Sequence, residues 1–96
     1  MEESIDNVSV TSGEDFTIKL ESNPTTGYKW QPTYNDTYVK LISNDFIQAT
    51  KLMGAGGLER FFFRAVKSGN TEIEMLYKRV WEKKAVKSRK INVKIN

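Results

Sequence analysis

Apolar residues recur at every second position along most of this chain, and that alternation constrains its fold more than any other feature. Phe16, Ile18 and Leu20 alternate with Thr17, Lys19 and Glu21. Ile73, Met75 and Tyr77 alternate with Glu72, Glu74 and Lys78, and Ile91, Val93 and Ile95 alternate with Asn92 and Lys94. A period of two puts one side chain in the core and the next in water, the pattern of a half-buried strand. No stretch sustains helical periodicity over ten residues. Turn signals separate the runs: Ser12-Gly13-Glu14-Asp15, Asn23 to Gly27, Asn35-Asp36, Ser43-Asn44-Asp45, Gly54 to Gly57, and Lys67-Ser68-Gly69-Asn70. The expected strands are Ile5–Val10, Phe16–Glu21, Tyr28–Tyr34, Val39–Ser43, Phe46–Leu52, Leu58–Val66, Thr71–Arg79 and Ala85–Ile95. Seven or eight short, mainly antiparallel strands in 96 residues predict an all-β, immunoglobulin-like β-sandwich.

The chain reads as one domain over residues 1–96, with no repeat or linker and an expected radius of gyration of about 12–13 Å. Eleven aromatics are enough to fill a core of this size. Phe61, Phe63 and Ala65 share a face, so Phe62 lies opposite, beside Arg60 and Arg64, either exposed or covered by a flanking side chain. There is no cysteine, so disulfides cannot staple the fold. There is no histidine either, which removes the commonest general base and the commonest metal ligand together. Glu72 and Glu74 read as solvent-facing strand residues. Asp15, Asp36 and Asp45 fall in turn signals, where aspartate bonds nearby backbone. No calcium loop or phosphate loop is present. The chain is therefore expected to be neither an enzyme nor a cofactor-binding protein.

No apolar run approaches the ~20 residues that span a membrane. Met1-Glu2-Glu3-Ser4 is acidic, with no hydrophobic stretch behind it, and does not read as a signal peptide. Location stays open between cytoplasm and an endolysosomal or secreted setting after processing. The net charge of +3 hides an asymmetry: residues 78–96 hold eight basic residues and one acidic. That segment reads either as a solvated, lysine-rich strand protecting a sheet edge, or as a contact surface for an acidic partner.

One segment resists the alternation. Asn23-Pro24-Thr25-Thr26-Gly27-Tyr28-Lys29-Trp30 begins too stiff for a random loop and ends too aromatic for a linker. Pro24 fixes its own φ and biases Asn23 away from helix. Gly27 permits a positive φ, so the chain can turn sharply after two threonines. Tyr28 and Trp30 then point to one side of an extended segment and read as core beneath the loop. Asn23 reads as structural, its side chain bonding loop backbone.

Asn-Pro-Thr-Thr-Gly-Tyr-x-Trp resembles the first signature of the chagasin family, small inhibitors of papain-like cysteine peptidases. A glycine-rich loop, Gly54-Ala55-Gly56-Gly57, follows in the family's order. The third signature, usually Arg-Pro-Trp or Arg-Pro-Phe, stands here as Arg79-Val80-Trp81, a departure at Val80. Phe61, Phe63, Ala65, Gly69, Ile73 and Tyr77 are similar too, so the resemblance runs roughly from Phe16 to Ile95. It implies the same immunoglobulin-like fold and a monomeric, reversible, tight-binding inhibitor of papain and cathepsin L type peptidases. It implies a binding site of three loops forming a wedge: Asn23, Pro24, Thr25, Thr26, Gly27; Gly54, Ala55, Gly56, Gly57; and Arg79, Val80, Trp81. Short threonines can approach a catalytic Cys-His pair, side-chain-free glycines can lie along the substrate subsites, and Trp81 can anchor. Arg79 pairs with enzyme acids or orients its loop from the base. The alternative is a basic β-domain that binds nucleic acid or an acidic protein through Lys83, Lys84, Lys87, Arg89, Lys90 and Lys94. Those residues do not interleave with aromatics except near Trp81, so a base-stacking platform, and with it nucleic acid as a partner, is poorly supported.

Overall fold

The structure, a computed structural model, describes residues 4–48 and 56–96. The described residues form seven strands: β1 (Ser4–Val10), β2 (Asp15–Ser22), β3 (Tyr28–Thr33), β4 (Val39–Gln48), β5 (Gly57–Ala65), β6 (Gly69–Arg79) and β7 (Lys87–Ile95). They make two sheets, one ordered β1-β7-β6-β3 and the other β2-β5-β4. All pairings are antiparallel except β1 with β7. The fold is the immunoglobulin-like β-sandwich that the alternation predicts.

The core is the set of inward positions. In β2 the burial pattern alternates perfectly, with Phe16, Ile18, Leu20 and Ser22 buried and their neighbours exposed. Phe61, Phe63 and Ala65 of β5 pack with Ile73, Met75 and Tyr77 of β6 and Ile91, Val93 and Ile95 of β7. Phe16 stacks on Phe63, their centroids 5.7 Å apart, and Tyr34 meets Phe63 edge-on at 5.2 Å. Phe62, on the other face, is half-buried beneath the Arg60 guanidinium, which stands 5.1 Å from its ring centroid. A flanking side chain therefore covers it.

Three sequence expectations need correction. Ser43-Asn44-Asp45 is not a turn. The two strands expected at Val39–Ser43 and Phe46–Leu52 are one strand, β4, with a register shift between Leu41 and Ser43; residues 49–52 lie outside the described residues. β4 is an edge strand, so its polar residues can be strand residues without burial. Charged residues on such an edge also discourage association with other chains. Asp15 and Asp45, assigned to turns, instead bind arginines across the sheet. Asp45 stands opposite Arg60 and Asp15 opposite Arg64, each pair joined by two hydrogen bonds. These guanidinium hydrogen bonds hold both carboxyls below the usual aspartate range and raise both arginines. Finally, β7 is not a sheet edge: it lies between β1 and β6.

The Asn35-Asp36 turn stands as expected. The Asn35 side chain accepts from the Thr37 N–H at 3.0 Å, and its carbonyl accepts from the Tyr38 N–H at 3.1 Å.

Candidate functional site

The ladder registers put the β2–β3, β4–β5 and β6–β7 connections at one end of the sandwich. Gly57 pairs with Ser22 on one side and Gln48 on the other, so the first two connections leave from neighbouring strand ends. Tyr28 pairs with Arg79, which brings the third connection beside the first.

The first loop is a single 3-10 turn over Pro24–Thr26, and its own side chains build it. Asn23 is the extended N-cap. Its side-chain carbonyl accepts from the Thr25 N–H at 3.3 Å and from the Thr25 hydroxyl at 2.6 Å. The Thr26 hydroxyl donates to the Asn23 carbonyl at 2.7 Å and accepts from the Tyr28 N–H at 3.4 Å. Pro24, at the turn's first position, needs no N–H there. Gly27 closes the turn with φ +85°, in the left-handed region that penalises any Cβ. Both threonines remain exposed. Their hydroxyl protons are committed within the loop, so what they offer outward is acceptor lone pairs and methyl groups at fixed positions.

Beneath the loop lies an aromatic floor. Tyr77 stacks against Tyr28 at 5.4 Å and meets Trp30 at 4.8 Å. The Tyr77 hydroxyl accepts from the Asn23 N–H at 3.3 Å. The Trp30 indole N–H donates to the Glu21 carbonyl at 2.9 Å, tying β3 to β2 across the two sheets. Trp30 is buried and Tyr28 half-buried, as their shared face predicts. Glu59 completes the floor. It is buried, and its carboxylate accepts from the Trp30 backbone N–H at 3.1 Å. β3 is an edge strand, paired only with β6, so an N–H on its far side needs such a partner.

The third loop is a β-turn, closed by the Glu82 N–H donating to the Arg79 carbonyl at 3.0 Å. Val80 and Trp81 occupy its two central positions and are 79% and 71% exposed. Arg79 holds the turn against the first loop. Its guanidinium lies 4.5 Å from the Tyr28 ring centroid and 5.8 Å from that of Trp81, and 3.9 Å from the Glu82 carboxylate. Arg79 thus packs at the base of its loop, between Tyr28 and Trp81. A Cβ placed on Gly27 would lie 3.6 Å from the Trp81 ring, so the first and third loops meet there.

Of the second loop, Gly54 and Ala55 lie outside the described residues. Gly56 sits against the first loop: a Cβ there would lie 3.0 Å from the Ser22 carbonyl and 3.8 Å from Asn23 Cβ. Gly57 is tighter still, with only 2.0 Å between an added Cβ and the Ile47 carbonyl oxygen. Every described residue of the three signatures is therefore gathered at one end. Tyr77, Glu59 and Glu82 support it and are absent from the signatures. Glu59 carried a readable signal, an acid on the inward parity of Phe61 and Phe63. Glu82 carried none, because its role depends on the turn. Among the described residues, no group of three or more acidic side chains could hold a metal ion.

The comparisons with known proteins agree with this architecture. The pattern of the chagasin family peptidase inhibitor I42 matches residues 9–95. Chagasin of Trypanosoma cruzi is 32% identical over 80 residues, covering 77% of this chain and 73% of chagasin. Amoebiasin-2 of Entamoeba histolytica is 35% identical over 71 residues, covering 69% of this chain and 56% of its own length. The chain belongs to the chagasin family, a family of peptidase inhibitors and not of enzymes. Solved structures share the fold. A crystallised cysteine protease inhibitor of Entamoeba histolytica superposes with a TM-score of 0.78 at 23% identity, covering 100% of this chain and 99% of that one. PbICP-C, solved in complex with falcipain-2, superposes with a TM-score of 0.69 at 20% identity, covering 99% of this chain and 90% of that one.

Proposed function

We propose that this protein is a reversible, tight-binding inhibitor of papain-like cysteine peptidases and acts as a monomer. Its three loops enter and occlude the active-site cleft. The observation that carries the reading is the meeting of the first and third loops at Gly27 and Trp81, with Gly56 of the second loop against Asn23. One end of the sandwich thus presents a contiguous edge built from three separate segments. Family membership supplies the activity, and the solved complex of PbICP-C with falcipain-2 shows a protein of this fold in complex with a peptidase.

The mechanism is occlusion without cleavage. The 3-10 turn of the first loop curls the backbone where a substrate would lie extended, so no peptide bond is set in line for the nucleophile. Side-chain hydrogen bonds within the loop fix it before docking, which lowers the ordering cost of association. Trp81 provides a rigid aromatic anchor, and the Arg79 stack aims it.

Titration into papain and cathepsin L, with a fluorogenic peptide substrate, tests the reading. Both peptidases should lose activity stoichiometrically at tight-binding concentrations, while serine and metallopeptidases should not. Full activity of both cysteine peptidases at micromolar protein would end the proposal.

A further inference from the structure

The loop end also carries lysines that the three signatures leave unexplained. Lys29 and Lys78 stand directly opposite each other across β3 and β6. Their chain neighbours Trp30 and Tyr77 point into the core, so this pair faces outward. Like charges directly opposite destabilise a sheet. The third connection then adds the exposed Lys83 and Lys84. Among the described residues, none of these four lysines has a carboxylate within 4.0 Å. Four acids pair with arginines instead: Asp6 with Arg89, Asp15 with Arg64, Asp45 with Arg60, and Glu82 turned to Arg79. Of the outward acids of β6, Glu72 lies toward its opposite end and Glu74 at its midpoint, across from Lys90 of β7. The basic C-terminal segment is thus two groups. Arg89 has a partner within the fold, whereas Lys83 and Lys84 join Lys29 and Lys78 around the third loop.

We propose that Lys29, Lys78, Lys83 and Lys84 form a basic rim that docks against an acidic flank of the target peptidase's cleft. The rim would select among papain-like peptidases through association rate. This rests on the inhibitor reading above. The rim is continuous with the proposed binding end: Lys29 follows Tyr28, Lys78 precedes Arg79, and Lys83 follows Glu82 of the turn that carries Trp81. The Lys29–Lys78 opposition weakens the sheet and satisfies nothing within the fold, so an acidic partner is what it fits. Charges at the margin of an interface steer encounter more than they hold the complex, so the effect belongs to the on-rate.

The test measures association and dissociation rates against two papain-like peptidases, one with an Asp- and Glu-rich cleft rim and one without. The variants are Lys29→Glu with Lys78→Glu, Lys83→Glu with Lys84→Glu, and Lys94→Glu on β7 as a distant control. For the acidic-rim peptidase, the on-rate should fall about tenfold in each double variant and also on raising salt, with off-rates little changed. The control, and the peptidase without an acidic rim, should show neither effect. Thermal midpoints of Lys78→Glu alone should hold or rise, because the like-charge pair is relieved; this separates lost steering from lost fold. On-rates and salt slopes in the double variants equal to those of the unaltered protein overturn the rim. Failure of the unaltered protein to inhibit either peptidase overturns the inhibitor reading itself. If the lysines instead bind a single-stranded oligonucleotide at micromolar concentration while peptidase on-rates ignore them, the rim is a nucleic-acid surface and the proposal is wrong.

Discussion

Trp81 illustrates what a single residue contributes here. A large aromatic at 71% exposure gives the fold little, since burial is what stabilises an apolar side chain. What the fold gives Trp81 is position, through the Arg79 guanidinium and the Gly27 surface. Trp81→Ala should therefore leave the urea midpoint nearly unchanged while weakening inhibition by about 2–4 kcal/mol. Proportional losses in both would place the ring in the fold rather than in the contact. Val80 sits at the first central position of the same turn, where proline's fixed φ is favoured. Val80→Pro should tighten inhibition about two- to five-fold by removing loop freedom worth about 0.4–1 kcal/mol. Weaker inhibition with an intact fold would show that the bound loop departs from this turn. Glu59 is the opposite case, buried and invisible to a partner. Glu59→Met keeps the volume but strands the Trp30 N–H, and should lower unfolding free energy by about 1–3 kcal/mol. An unchanged denaturation midpoint would mean that another group takes over that hydrogen bond.

At the scale of elements, the sheet β2-β5-β4 is laced by charged pairs on its exposed side. Asp15 with Arg64 ties β2 to β5, and Asp45 with Arg60 ties β4 to β5. Both carboxyls titrate below the ordinary aspartate value of about 3.9 because an arginine hydrogen-bonds the ionised form. The unfolded chain then binds more protons than the folded one in the interval between the two values. The stability these pairs contribute is fully present above that ordinary value and is lost as pH falls through the lowered ones. Urea midpoints followed from pH 7 down to pH 2 should decline on the acid side. The decline should be shallower in the Asp15→Asn, Asp45→Asn double variant. Superimposable acid limbs would show that the pairs make no difference in solution. These strands also show why Ser43-Asn44-Asp45 reads as a turn: its composition is that of a turn, and the Arg60 that pairs with Asp45 lies 15 residues away in the chain.

The whole molecule measures 42 × 28 × 24 Å, with a radius of gyration of 14.0 Å, longer than a sphere of this chain length. Elongation follows from strands of up to 11 residues running the length of the sandwich and keeping the loop end apart from the base. With no histidine and no cysteine, no side chain has an ordinary pKa between pH 5.5 and 7.5. The inhibitor's contribution to affinity should therefore be flat across that range once the peptidase's own titration is subtracted. A residual change there larger than about threefold would require a shifted carboxylate at the interface.

The sequence alone determined the sandwich, because a two-residue period leaves a strand one inward face and the turns between strands limit their length. It also determined the first loop, whose proline, glycine and capping asparagine act on their immediate neighbours. The tertiary structure decided what depends on residues distant in the chain. It merged two expected strands into β4, placed β7 inside its sheet, and set Glu59 against Trp30. It also divided the basic segment, giving Arg89 a carboxylate and leaving Lys83 and Lys84 beside Lys29 and Lys78. Local sequence fixes backbone angles and the parity of burial, but a charge acquires its meaning from what lies across the sheet from it, and register alone decides that.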